Sequence, residues 1–302
     1  MSKFVRFLMF VLVLGFALTA PAQALNVGGH NETSEVNFPL WAQGVPSPGV
    51  APALAGTHLL VSEFAVTGTA VEFIEIYNPT MEPVGLSQYY LSDNWYEPVS
   101  LPVEGYFRFP EAGYFISTNS DYTMRFPSGT IILPGSAIVI AQDGAGLDAA
   151  YGAGTSDFEL TGTSAVVPDM INVGNNNPAI PPGGALLSNS SEFIVIFSWD
   201  GLSDIVCDVD YVTWGPAATT SRVDKTPFAI DGPDANAIPT PYNVDTPDAA
   251  QSAVVAPIGG ASTARLAGAE GVEASPGGNG CCYVPPTAVE FSTWGKIKAL
   301  YR

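Results

Sequence analysis

The chain has 302 residues, with 29 Asp and Glu against 10 Lys and Arg, for a formal net charge of −19. Nucleic acid and anionic lipid are bound through clustered Lys and Arg, so this balance excludes both as partners and suits cations or basic partners. Only 13% of residues are charged while 47% are hydrophobic, and 31 Gly with 26 Pro describe a turn-rich β protein with ample apolar material.

Residues Met1 to Ala24 have the form of a secretory signal peptide. Lys3 and Arg6 give a positive start, Phe7 to Leu18 is apolar, and Ala22-Gln23-Ala24 supplies a small-x-small cleavage pattern. The apolar run is shorter than the roughly 20 residues of a spanning helix, so cleavage is expected rather than anchoring. Removing this leader takes away two basic residues and no acidic ones, which moves the charge from −19 to −21. No later stretch reaches spanning length. The mature chain is therefore expected without a membrane span, and secreted, periplasmic or at the cell surface.

Residues 25–56 read as a flexible arm, with Pro46, Pro48 and Pro52 marking a linker and one short strand near Phe38 to Trp41. Thr57 to Val66 opens the regular part as a buried strand. Val71 to Tyr77 alternates, with Phe73, Glu75 and Tyr77 on one side and Glu72, Ile74 and Ile76 on the other, and Pro79 ends the ladder. Leu86 to Ser92 and Tyr114 to Thr118 are further strands. Phe126 to Ala141 reads as a β-hairpin about Pro134-Gly135. Leu147 to Gly152 holds one helical turn, and 155–191 is an enlarged loop rich in Gly, Pro, Asn and Ser. Glu192 to Trp199 and Ile205 to Trp214 form a second hairpin through Asp200-Gly201. Either Ala253 to Val255 or Ser262 to Leu266 supplies a closing strand. The expected fold is all-β, an immunoglobulin-like β-sandwich over 57–268 with long Gly/Pro-rich loops. A linker at 269–286 and a short C-terminal amphipathic helix at 287–302 complete the chain, with Trp294, Ile297, Leu300 and Tyr301 at helical spacing.

Candidate site residues are few. Trp95, Tyr96 and Tyr106 lie in an aromatic-rich stretch between strands and suit a sticky surface for glycan or protein. Asp143 and Asp148 in Asp-Gly-Ala-Gly-Leu-Asp resemble a calcium-loop fragment, although the third acidic position and the closing glutamate are missing. Asp204, Asp208 and Asp210 share one strand face and could attract a cation; like charges there also protect an edge from aggregation. Glu72 and Glu75 fall on opposite faces of their strand, so one glutamate tying down a loop is expected rather than an acid/base pair. In the tail, Trp294, Lys296, Lys298 and Arg302 suit recognition by sorting machinery or a surface partner. Two histidines, His30 and His58, stand apart from any nucleophile motif, and no phosphate-cradling Gly-rich loop with Lys is present. No cofactor is expected beyond calcium. Three cysteines, Cys207, Cys281 and Cys282, leave one over from any internal pairing.

Ser62-Glu63, Glu72 to Asn78, Leu86 to Asp93 and Phe126 to Ala141 together are similar to bacterial lamin-tail domains. Tyr151-Gly152, Asp210-Tyr211-Val212 and Trp214-Gly215 continue the match, and Ser262 to Arg265 resembles the family's last strand. The resemblance covers 57–266 and departs at the enlarged loop. It implies an accessory module of exported bacterial proteins, found alone or beside nucleases and other hydrolases. A non-catalytic binding or structural role at the envelope or outside the cell follows. The alternatives are a calcium-dependent adhesin or an accessory domain of an extracellular hydrolase. Chromatin binding, as in eukaryotic relatives, does not fit the acidic charge.

Overall fold

The computed structural model describes residues 33–36, 57–66, 68, 70–95, 104–114, 116, 121–173, 186–216, 222–251, 253–257 and 261–265. The chain divides into Met1–His30 and Asn31–Arg302, and every described residue belongs to the second unit. In chain order the strands are β1 (Thr33–Val36), β2 (Leu60–Ala65), β3 (Phe73–Tyr77), β4 (Val84–Gly85), β5 (Tyr89–Ser92), β6 (Thr123–Arg125), β7 (Ile131–Ile132) and β8 (Ala137–Ala141). Helix α1 (Gly144–Tyr151) follows, then β9 (Phe158–Glu159), β10 (Ile171–Asn172), β11 (Glu192–Ser198), β12 (Cys207–Trp214), β13 (Ala229–Ile230), β14 (Thr240–Pro241) and β15 (Ser262–Arg265). The fold is all-β, as the alternation predicts. Among the described residues no helix is long and apolar enough to cross a membrane.

Six strands form the first sheet in the order β1-β15-β2-β3-β8-β9, antiparallel except for the parallel β8–β9 pair. The second sheet runs β10-β6-β5-β11-β12, with β4–β7 and β13–β14 as small ribbons. Between the sheets lies one apolar interior. Phe64, Ile74, Ile76, Ile138 and Ile140 enter it from the first sheet, and Leu91, Met124, Ile194, Ile196, Val212 and Trp214 from the second. Phe64 and Trp214 meet across it with ring centroids 4.8 Å apart.

The outer face of the second sheet is covered as well. Phe193, Val195 and Phe197 alternate with Ile194 and Ile196, and point away from the shared interior into a second core. There they pack with Tyr90 and Tyr211 beneath Tyr106, Phe107, Val223, Ile230 and Tyr242. A strand buried on both sides needs an unbroken apolar run, which is why β11 reads Phe-Ile-Val-Ile-Phe. On the outer face of the first sheet, Phe73 and Ala141 pack with Leu147 of α1. Both sides of β3 are thus covered, which accounts for its lack of a polar face.

Several expectations are corrected. Phe126 to Ala141 is not a hairpin: β7 pairs with β4, and β8 pairs with β3. Asn78 causes the separation. Its side-chain amide donates to the Ile132 carbonyl at 2.9 Å, and its own carbonyl accepts from Gly135 N at 2.8 Å. Pro134-Gly135, with Gly135 at φ +69°, is therefore a corner between ribbon and sheet. Tyr114 is not in a strand; β6 provides the neighbour to β5 instead. The span read as an arm contributes β1, which pairs with β15, whereas 38–41 lies outside the described residues. The enlarged loop carries β9 and β10. The β11–β12 hairpin and the closing strand at Ser262–Arg265 are as expected. The short helix expected at 287–302 lies outside the described residues.

Candidate functional site

Several acidic side chains among the described residues hold backbone in place. Glu72, buried beside Ile74, accepts from the amides of Leu186 and Leu187 at 3.2 and 3.3 Å, tying down the enlarged loop as the strand spacing suggests. Burial raises its pKa to about 7, against the pull of those two amides. Glu75, on the opposite side, accepts from the Ser62 hydroxyl at 2.8 Å and stands across from Glu63 in the β2–β3 ladder. Burial first, and then Glu75, pushes Glu63 to about 7. Asp93 is fully buried and accepts from Tyr122 N at 2.7 Å, and desolvation holds its carboxyl well above the ordinary range.

Asp143 caps the start of α1, and Asp148 lies within its last turn. Asp143 is the N-cap residue, accepting from Gly146 N at 2.8 Å and from the Thr163 hydroxyl at 2.5 Å. Asp148 accepts from Gly154 N and Ser156 N at 3.0 and 2.9 Å, which fixes the turn after the helix. Each carboxylate is engaged with backbone, Asp143 at the helix start and Asp148 in the loop that follows it.

Asp204, Asp208 and Asp210 do not share a face. A register shift opposite Ile196 and Phe197 sends Asp208 and Asp210 to opposite sides of β12. Asp210 crosses the interior to accept from Val61 N in the first sheet at 2.5 Å. Asp204 accepts from Gly232 N at 3.0 Å and the Thr240 hydroxyl at 2.5 Å, with Asp231 and Asp234 bringing carboxylate oxygens within 4.8 Å. Asp208 turns into the second core.

There it meets Lys225, whose fully buried Nζ lies 2.6 Å from Asp208 Oδ2, 3.1 Å from Asp245 Oδ2 and 3.2 Å from the Tyr106 hydroxyl. Tyr106 in turn donates to Asp208 Oδ2 at 3.0 Å, and the rings of Tyr106 and Tyr242 flank the ammonium at 5.6 and 5.7 Å. Lys225 N also binds Asp245 Oδ2 at 2.8 Å. Burial lifts the Asp245 carboxyl to about 6 even with the lysine beside it. Sequence reasoning gave Lys225 and Asp245 no role, and no local motif marks either one.

Of the aromatic candidates, Tyr106 belongs to this buried cluster rather than to a surface, because its short 3-10 turn folds it against Phe193 and Phe197. Burial is also the main cause of its strongly raised pKa. Trp95 is half-buried against the second core, as are Phe109 and Trp199, and the latter two meet edge to face at 5.2 Å. All three are partly buried against that core. Tyr96 lies outside the described residues, as do His30, Cys281, Cys282 and the tail residues Trp294, Lys296, Lys298 and Arg302. His58 is half-buried with Nδ1 3.0 Å from the Thr57 hydroxyl, and the Cys207 side chain is buried.

No family model matches the chain, and no curated protein matches it in sequence. Among solved structures, the crystal structure of a DUF4876 family protein from Bacteroides thetaiotaomicron VPI-5482 is similar at 17% identity with a TM-score of 0.35. The alignment covers 55% of this chain and 56% of that one, so the chain spans about half the length of that neighbour.

Proposed function

We propose that the protein is a non-catalytic, exported binding or structural module that engages protein or glycan at the cell envelope or outside it. The observation that carries this reading is the use made of the carboxylates. Glu72, Asp93, Asp143, Asp148 and Asp210 each accept from backbone amides, so groups that could do acid/base work instead fix loops and join sheets. The lamin-tail resemblance and the signal-peptide pattern support the same class. Contact falls to Trp95, Phe109 and Trp199, partly buried aromatics held on the second core, whose rings suit a sugar ring or an apolar side chain. Co-sedimentation with isolated envelope polysaccharide and with envelope protein fractions tests this. Retention that drops at least tenfold in a Trp95→Ala, Trp199→Ala double variant with an unchanged melt is expected. Equal retention of both forms, or a hydrolase activity that is lost in His58→Ala, would overturn the proposal.

A further inference from the structure

An ion cluster sealed inside an apolar core is costly unless it does something. Lys225 and Asp245 have no exposed side-chain surface, and Asp208 keeps 7%. One ammonium faces two carboxylates here, and the second oxygen of each carboxylate, Asp208 Oδ1 and Asp245 Oδ1, is buried without a hydrogen-bond partner. A simple ion pair leaves this arrangement half-satisfied. An amide does not.

We propose that Lys225 Nζ and Asp208 Cγ are joined in the mature protein by a self-formed isopeptide bond, with Asp245 carrying the proton. Every participant is in hydrogen-bond reach before reaction: Nζ to Asp208 at 2.6 Å, Nζ to Asp245 at 3.1 Å, and the Tyr106 hydroxyl to Asp208 at 3.0 Å. Asp245 takes a proton from the ammonium, and its lifted pKa suits it to accept and return protons near neutrality. The amine lone pair then attacks Asp208 Cγ, and the C–O π pair moves onto Oδ2, which the Tyr106 hydroxyl stabilises. Asp245 returns this proton to the other oxygen, Oδ1, and relays a second from the attacking nitrogen to the same oxygen. The pair on Oδ2 re-forms the carbonyl, the C–O bond breaks, and Oδ1 leaves as water with the nitrogen now a neutral amide N–H. One ammonium and one carboxylate become one amide and one water, with no oxidant, reductant or further reactant. The surrounding rings of Tyr106, Phe107, Phe193 and Tyr242 exclude water, which would otherwise favour the reverse hydrolysis. Fixed proximity replaces the activation that an intermolecular condensation would require. The product welds β12 to the segment that roofs the second core.

Mass spectrometry of the denatured full chain, followed by tryptic mapping, tests the proposal. The expected result is a mass one water below that of the sequence, with Lys225 resistant to trypsin and its peptide joined to the one holding Asp208. Asp208→Ala and Asp245→Ala should each carry the full mass. The wild-type chain decides even if neither variant folds: a full mass with the peptide Val223 to Lys225 released overturns the bond. Water loss that maps to succinimide at Asp143-Gly144, Asp200-Gly201 or Asp231-Gly232 overturns it equally. A bond to Asp245 instead, or a bond that still forms in Asp245→Ala, refutes the roles given to the two aspartates.

Discussion

Asp210 offers a sharp test of how the two sheets are held together. It projects from β12 through the shared interior, is 1% exposed, and accepts at Oδ2 from Val61 N at 2.5 Å. Val61 sits where the β2–β3 register shifts, so its amide looks across the sandwich. Replacing Asp210 by Ala removes a hydrogen bond to a charged group, worth about 1.5–3 kcal/mol, and leaves a buried donor short of that acceptor. Relief of the carboxylate's own burial offsets part of this, for a net loss of about 2–3 kcal/mol. In a domain of this size that lowers the melting temperature by about 5–10 °C. Asp210→Asn keeps an acceptor oxygen and should lose about half as much. Urea and thermal unfolding followed by near-ultraviolet circular dichroism would measure both, with an unchanged urea slope expected. If Asp210→Ala melts within about 1 °C of the parent chain, the reading of this contact as a tie between sheets is wrong.

Other outcomes follow from single features. Glu63 and Glu72 titrate near 7 in the folded chain against an ordinary 4.5, so the native state holds the extra protons between those values. Stability is then full below about pH 4.5 and declines as pH rises through 7, which puts the urea midpoint higher at pH 5 than at pH 8. Glu72→Gln, which keeps an acceptor for Leu186 and Leu187, should flatten that slope and raise the midpoint at pH 8. Gly215 has φ +74°, and a Cβ there would lie 1.9 Å from the Ser190 carbonyl oxygen. Gly215→Ala should cost more than about 3 kcal/mol, seen as loss of protease resistance at 25 °C. Trp214 is wholly buried, packs on Phe64, and donates from Nε1 to Ser188 O at 2.8 Å; Trp214→Ala should lower stability by about 3–5 kcal/mol in urea titration.

Some of this architecture was legible in the sequence and some was not. β3, β11 and β12 carry long alternating or unbroken apolar patterns, and those patterns survive any change of partner. That one of Glu72 and Glu75 ties down a loop was readable too, because strand alternation puts them on opposite faces; which of the two does so was not. Pairing was another matter. Pro134-Gly135 suits a hairpin and a corner equally well, and the choice is made by Asn78, which is 54 residues from Ile132. Strands of two residues such as β9 and β10 hold too few positions to show a period. The one-residue slip in β12 reverses which face Asp208 takes, and nothing in Cys-Asp-Val-Asp-Tyr announces it. Lys225 lies 17 residues from Asp208, 20 from Asp245 and 119 from Tyr106, so only folding brings the cluster together.

The place of β15 bears on how the chain reaches its final form. It is the last strand of the described residues, yet it lies inside the first sheet, flanked by β1 and β2. Its Ser262 hydroxyl finds the Glu63 carboxylate 199 residues back along the chain. Until that late segment has left the ribosome, β2 has an unfilled flank and β1 has no neighbour to dock on. Such distant closure makes assembly slow and late. The first sheet is thus complete only once Ser262–Arg265 has slid between its two earliest strands.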